Sequence, residues 1–218
     1  KVDWDLYNNR DYLFTHDTIV AGVATEADGY TIKPGCFDLV NANGNAWTNA
    51  VLKNCYKTFI GGENYCEHLQ VPSTSKGKIL DAVLREVEHG GEKILVCDIL
   101  VATSRRHKML CDRIERGELR TMSMGATANF VQCSVCGKIF DTRKEEELCG
   151  HLSDSLGKAI DHNGRRTMCA ELCGAIDPGT GEYIPDSCVF IEASWVEQPA
   201  FEGAVTNFLV ETPKIAAE

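Results

Sequence analysis

Two strand-like runs of apolar and polar positions, Lys78–Val87 and Lys93–Ala102, dominate the middle of the chain in "GKILDAVLREVEHGGEKILVCDILVAT". The "EHGG" between them carries the glycines of a tight connection, so the pair is predicted to be a β-hairpin. Both runs are long for a surface pair, which places them centrally in a sheet. Helical spacing follows over Ser104–Arg116, with His107, Leu110, Cys111 and Ile114 as the inward stripe. Thr103 is placed to cap its start and Gly117 to supply a left-handed stop. Asp112 and Arg116 are spaced to pair at i,i+4. A strand over Arg120–Val131 then begins at once, with Ser123 near its start.

Before the hairpin the pattern is weaker. "TIVAGVAT" (Thr18–Thr25) reads as a strand and "TEADGYTI" as an acidic, glycine-containing turn. From Asn49, the positions Val51, Leu52, Cys55, Tyr56 and Phe59 fall at helical spacing. "GGENYCEHLQV" is a glycine break followed by a short strand that carries His68. Late in the chain, "DSCVFIEASWVEQPAFEGAV" is a strand ended by Pro199, then a short turn. The polar "ETPKIAAE" reads as a loose tail over 211–218. The layout is a mostly antiparallel β domain with a few helices over 1–131 and 176–210, interrupted by a cysteine-rich insert at 132–175.

With 218 residues and 44% apolar content, the chain can bury one domain-sized core. Its net charge of -10 argues against a nucleic-acid binder that relies on broad phosphate neutralisation. No apolar run reaches the length of a membrane span, and no basic-then-apolar signal segment opens the sequence. The eleven cysteines are an odd number, so a simple disulfide framework would leave one over. Several sit singly in apolar runs, such as Cys97 and Cys188, and read as small buried hydrophobes in a reducing compartment.

Four other positions behave differently. Cys133 and Cys136 form a C-x2-C knuckle, and Cys149 and His151 follow in "CGH". Three thiolates and one imidazole make a tetrahedral zinc set. Gly137 suits the tight turn of a knuckle. The charged "DTRKEEE" between the two halves cannot form a core, so a metal is a plausible organiser there. Cys169 and Cys173 are alternatives for one ligand, His151 above all. Protein fills every coordination position, which makes this Zn2+ structural and not catalytic. The acidic run Glu145–Glu147 beside it argues against nucleic-acid contact.

Ser123 could be a buried polar residue or a nucleophile. A nucleophilic serine needs a base and a group that orients it. Of six histidines, His16, His89, His107, His151 and His162 lie in a terminal segment, a turn, a helix, the zinc set and another turn. His68 is the candidate base. The G-x-S-x-G motif of nucleophile elbows is absent. On these grounds alone a structural serine and a structural histidine remain the plainer reading.

The order of the motifs resembles the prohead maturation proteases of tailed bacteriophages, a serine protease family related in fold to the herpesvirus assembly protease. That family has a histidine on an early strand, a strand pair, and a helix ending in a segment like "ERGELRTMSMG" with the nucleophile in S-x-G. Later comes a strand of the form E-x-S-x-V followed by Pro-Ala. Here these are His68, Ser123-Met124-Gly125, Glu192, Ser194, Val196, Pro199 and Ala200. The likeness covers roughly His68 to Val205 and is nearest to the zinc-containing versions of large phages. It implies an assemblin-like antiparallel β-barrel protease fold carrying an inserted zinc-binding module. It also implies a Ser123 nucleophile, a His68 base and Glu192 as third member, with Asp98 and Asp81 as rivals for that place. The oxyanion would be held by backbone amides around Ala200–Gly203, or by Arg120 or Arg105. Scaffold, core and capsid proteins inside the phage prohead, within the host cytoplasm, would be the substrates. The same resemblance makes dimerisation or higher oligomerisation a hypothesis, and Glu218 a candidate self-processing boundary. The competing reading is an inactive structural or scaffold protein of the phage head that keeps this fold and its zinc site.

Overall fold

The computed structural model describes residues 10–144 and 147–210, and within them the protein is mostly β. The strands are β1 (Tyr12–Val23), β2 (Asn45–Thr48), β3 (Glu63–Cys66), β4 (Gly77–His89), β5 (Glu92–Ser104), β6 (Met122–Ala128) and β7 (Phe130–Cys133). They continue with β8 (Ile139–Asp141), β9 (Ala159–His162), β10 (Arg165–Met168), β11 (Glu171–Cys173), β12 (Cys188–Trp195) and β13 (Thr206–Leu209). The helices are short: α1 (Asn49–Cys55), α2 (Lys108–Glu115) and α3 (Gly150–Ser155). None of the described helices is long and apolar enough to cross a membrane.

The hairpin forms as the pattern predicts: β4 and β5 pair antiparallel along their length around Gly90 and Gly91, both at positive φ. They sit in the middle of one sheet of order β6-β12-β3-β4-β5-β1-β2-β11-β7-β8, with β13 added to the free edge of β1. Strands β9 and β10 form a separate ribbon.

The mostly β character stands, but no closed barrel is seen among the described residues. Among the described residues the strand path has two ends, β6 and β8, and three pairings are parallel: β1 with β2, β2 with β11, and β3 with β12. The cysteine-rich segment supplies β8 and β11, and its first cysteine ends β7. That segment therefore extends the main sheet as well as carrying the β9–β10 ribbon.

The core lies where α1, α2 and the inner sheet face meet. Ile19, Leu52, Phe59, Ile99, Met122, Phe190 and Trp195 are each at most 1% exposed. Burying each such side chain is worth about 1.5–3 kcal/mol before entropy is charged against it. Phe59 stacks on Phe190 with ring centroids 4.1 Å apart, which locks the turn after α1 against β12. Thr48 caps α1, its hydroxyl accepting from the Val51 amide at 3.2 Å.

Local details depart from the sequence reading for identifiable reasons. Helix α2 starts at Lys108, because Thr103 stays in β5 with its side chain buried in a polar network. Gly117 does close it at φ +70°. Arg116 pairs with Glu118 at 2.8 Å and not with Asp112. The strand expected over Arg120–Val131 breaks at Asn129, whose amide turns to Ser187. Strand β1 begins at Tyr12, six residues earlier than the apolar run suggests, because Thr15 and Asp17 are buried in it. The Thr15 and Thr206 hydroxyls each donate to Asp17 at 2.6 Å, and burial pushes its carboxyl up to about 7. The tail at 211–218, with Glu218, lies outside the described residues.

Candidate active site and metal centre

Strand β6 ends the strand order, paired along its length with β12 with Ser123 opposite Ser194, and only its start meets another segment on the far side, where Thr121 bridges to Val205. The Val196 amide donates to Thr121, while the Met122 amide donates to Ala204 on the other side. Strand alternation therefore aims the backbone groups of Met124 and Ala126 away from β12. Strand β6 borders a cavity of about 750 Å³ lined in part by Ser123, Met124, Gly125 and His68. Ser123 is 8% exposed.

His68 is not on a strand. β3 ends at Cys66, and Glu67 and His68 both take left-handed φ values, 49° and 53°. That region is uncommon for residues with a Cβ, and tertiary contacts must hold it. Here the Glu67 amide donates to Trp195 at 3.0 Å, and the Gln70 amide to His68 at 2.8 Å. The turn swings the imidazole over the end of β12.

There His68 Nδ1 donates to Glu192 Oε1 at 2.7 Å. Glu192 is 1% exposed on β12. Its other oxygen accepts from the Ser194 hydroxyl at 2.6 Å, and Gln70 Nε2 donates to Oε1 at 3.3 Å. The bond to Glu192 raises the His68 pKa above the ordinary imidazole value, against the opposing effect of burial. Gly125 faces this group directly. A Cβ there would lie 2.6 Å from Glu192 Oε1 and 2.8 Å from Gln70 Nε2, so only glycine leaves the carboxylate its place.

Beneath the site a buried chain of polar groups ties three strands together. Trp195 Nε1 donates to Thr103 Oγ1, which donates to Asn64 Oδ1, both at 3.2 Å. Asn64 Nδ2 donates to the Ala193 carbonyl at 2.8 Å. This network fixes the parallel β3–β12 pair that brings His68 and Glu192 together.

Ser123 Oγ and His68 Nε2 have no hydrogen-bond partner among the described residues; they share the cavity without bonding to each other. The other carboxylates are elsewhere. Asp98 is held by Arg85 at 2.6 Å and Thr18 at 2.7 Å, and Asp81 accepts from the Ala82 amide. Arg105 pairs with Glu115, and neither it nor Arg120 lines the cavity. Ala200 and Phe201 do, and their amides carry no hydrogen bond among the described residues.

The second cluster is metal-like. Ligand atoms of Cys133, Cys136, Cys149 and His151 lie within 4.8 Å of one another. Cys136 Sγ and Cys149 Sγ are 3.7 Å apart, against about 3.8 Å for a tetrahedral edge with 2.3 Å metal–sulfur bonds. Gly137 has φ +71°, and the Val135 amide points to Cys133 Sγ at 3.4 Å. His151 Nδ1 is buried without a hydrogen-bond partner, a cost that a metal bond would remove. Cys169 borders this cluster, its thiol donating to the His151 carbonyl at 3.1 Å, while Cys173 lies in the main core. The set could hold a metal ion.

Gln70, Ser194 and Asn64 were not singled out from sequence as supports of the site. Ser194 carried a readable signal: two residues from Glu192 on a strand, it shares its face. Gln70 and Asn64 carried none. Searches of protein-family models, of curated proteins and of solved structures gave no match to this chain.

Proposed function

We propose that the chain is a serine endopeptidase in which Ser123 is the nucleophile, His68 the general base and Glu192 the residue that orients and charges the base. The observation that carries this reading is the 2.7 Å His68–Glu192 hydrogen bond at the mouth of the cavity that contains Ser123. With its Nδ1 proton committed to Glu192, the imidazole presents Nε2 as an acceptor. The Ser123 proton passes to Nε2 as Oγ bonds to a peptide carbonyl carbon. His68 then returns that proton to the leaving amine as the C–N bond breaks. Water, deprotonated by the same nitrogen, hydrolyses the acyl ester and restores the serine. Glu192 stays ionised and stabilises the imidazolium in between. The free amides of Ala200 and Phe201 are the candidate oxyanion donors. The outward backbone groups of Met124 and Ala126 offer an extended peptide a strand to pair with.

The substrate class follows the sequence resemblance: scaffold, core and capsid precursors of a phage prohead. The cluster of Cys133, Cys136, Cys149 and His151 would hold Zn2+, which supplies no chemistry to the reaction and clamps the β7–β8 turn. The test is cleavage of such precursors by the wild-type chain and by Ser123→Ala, together with labelling by a fluorophosphonate. Labelling and cleavage that both depend on Ser123 are expected. Cleavage equal in the two chains removes Ser123 from its role. Absence of both activities in an assembled, zinc-replete sample favours the structural reading.

A further inference from the structure

The cavity holding Ser123 continues along β6 to Ala128, five residues of strand or roughly 17 Å. Its far wall is made by β2, β7 and β11. At the Ala128 end the Thr142 hydroxyl donates to the Ala128 carbonyl at 2.7 Å. Glu171 stands on this wall, paired through its backbone with Asn45 of β2 and Cys133 of β7. It is half-buried, and its carboxylate oxygens have no hydrogen bond or ion pair among the described residues.

That is unusual for this chain. Its other half-buried glutamates are matched: Glu63 by Lys78 and Ser75, Glu92 by Lys33 at 2.8 Å, Glu26 by Arg165 at 3.2 Å. Glu171 alone of these faces the cavity, and no lysine or arginine lines that cavity. The neighbouring Asn45 and Thr142 are neutral and cannot balance it. A carboxylate withdrawn from bulk water and left without a counter-ion costs free energy unless something brings the counter-ion to it.

We infer that Glu171 is a specificity-determining carboxylate that receives the cationic side chain, lysine or arginine, of an extended polypeptide lying in this cleft, several residues from the bond Ser123 attacks. This rests on the proposed function only in taking the occupant to be a polypeptide laid along β6. Charge complementarity runs the same way at long range, since the chain carries -10. A charge-assisted hydrogen bond of this kind discriminates on the order of tenfold or more against a neutral isostere.

The test is affinity selection of a degenerate dodecapeptide library on the immobilised full chain carrying Ser123→Ala, beside the same chain carrying Ser123→Ala and Glu171→Gln. Enrichment of lysine and arginine over glutamine by roughly tenfold at one register is expected on the first and not on the second. Glu171→Lys should reverse the preference towards aspartate and glutamate. No basic enrichment on the first chain, including retention of no peptide at all, overturns the proposal; so does enrichment that survives Glu171→Gln. Fluorophosphonate labelling of Ser123 in chains with and without Glu171→Gln separates the two readings. Lost labelling with Glu171-dependent enrichment sinks the serine mechanism and leaves this subsite standing. Intact labelling with no such enrichment does the reverse.

Discussion

Gly125→Ala tests the site at its tightest contact. The added methyl group would sit 2.6 Å from Glu192 Oε1, 2.8 Å from Gln70 Nε2 and 3.0 Å from Glu192 Cγ. Ordinary contact needs about 3.4 Å or more, so the carboxylate must retreat by roughly 0.8 Å. It is enclosed at 1% exposure and held by Ser194 at 2.6 Å and His68 at 2.7 Å. Retreat therefore stretches or breaks one of those bonds. A hydrogen bond to a charged group is worth about 1.5–3 kcal/mol, which as a lost transition-state interaction is roughly 10- to 150-fold in kcat/KM. Gln70, on a turn, can swing away at little cost, so the fold should survive with a small change in Tm. Two measurements check this: peptide hydrolysis, and the NMR titration of the His68 ring. The variant should lose activity, and the His68 pKa should fall towards the ordinary 6.5 as its bond to Glu192 weakens. A variant that is folded and tenfold slower but titrates at the wild-type value would refute this chain of reasoning.

Other outcomes follow from the same geometry. The proposed mechanism needs neutral His68, so kcat/KM should climb with pH through a midpoint above 6.5, and Glu192→Gln should move that limb down while lowering kcat by roughly 10³–10⁴; an unmoved limb would contradict the role of Glu192. The raised His68 pKa also lends stability that is whole below the unfolded value and fades as pH rises through the folded one, a small effect for a side chain 40% exposed. Asp17 has its folded pKa raised from 3.8 to about 7, so stability should fall as pH rises between those values. Asp17→Asn should flatten that decline in denaturant titrations, by up to about 4 kcal/mol at pH 8. Metal analysis should find the proposed zinc at one per chain, and Cys136→Ser, or chelation, should remove it and lower Tm, by several kcal/mol of stability for a structural site.

What could be read from the sequence was local. The hairpin of β4 and β5, the left-handed stop at Gly117 and the spacing of Cys133, Cys136, Cys149 and His151 each depend on residues close together in the chain. His68 was legible as a candidate but not in its conformation, because nothing in "CEHLQ" signals two consecutive non-glycine residues in the left-handed region. The open sheet path and its parallel pairs were not legible either. Parallel pairing of β3 with β12 joins residues 129 apart, as between Asn64 and Ala193, and leaves no mark on local periodicity. The start of β1 was hidden because the polar Thr15 and Asp17 are satisfied by each other and by Thr206, a partner 189 residues away from Asp17. Gly125 was legible only as the last position of the S-x-G motif; that a Cβ there would meet Glu192 and Gln70 depends on residues far away in the chain.

The parallel β3–β12 pairing has a consequence for timing. His68 follows β3, Ser123 lies on β6, and Glu192 arrives only with β12, after the cysteine-rich segment has been made. A chain emerging from the ribosome therefore holds the serine and the histidine long before it holds the group that positions the histidine. Closing so long a loop is among the slower steps of folding. On the proposed function, proteolytic competence would be the last property such a chain acquires. Truncations that stop before Cys188 should be inert however well their earlier strands form.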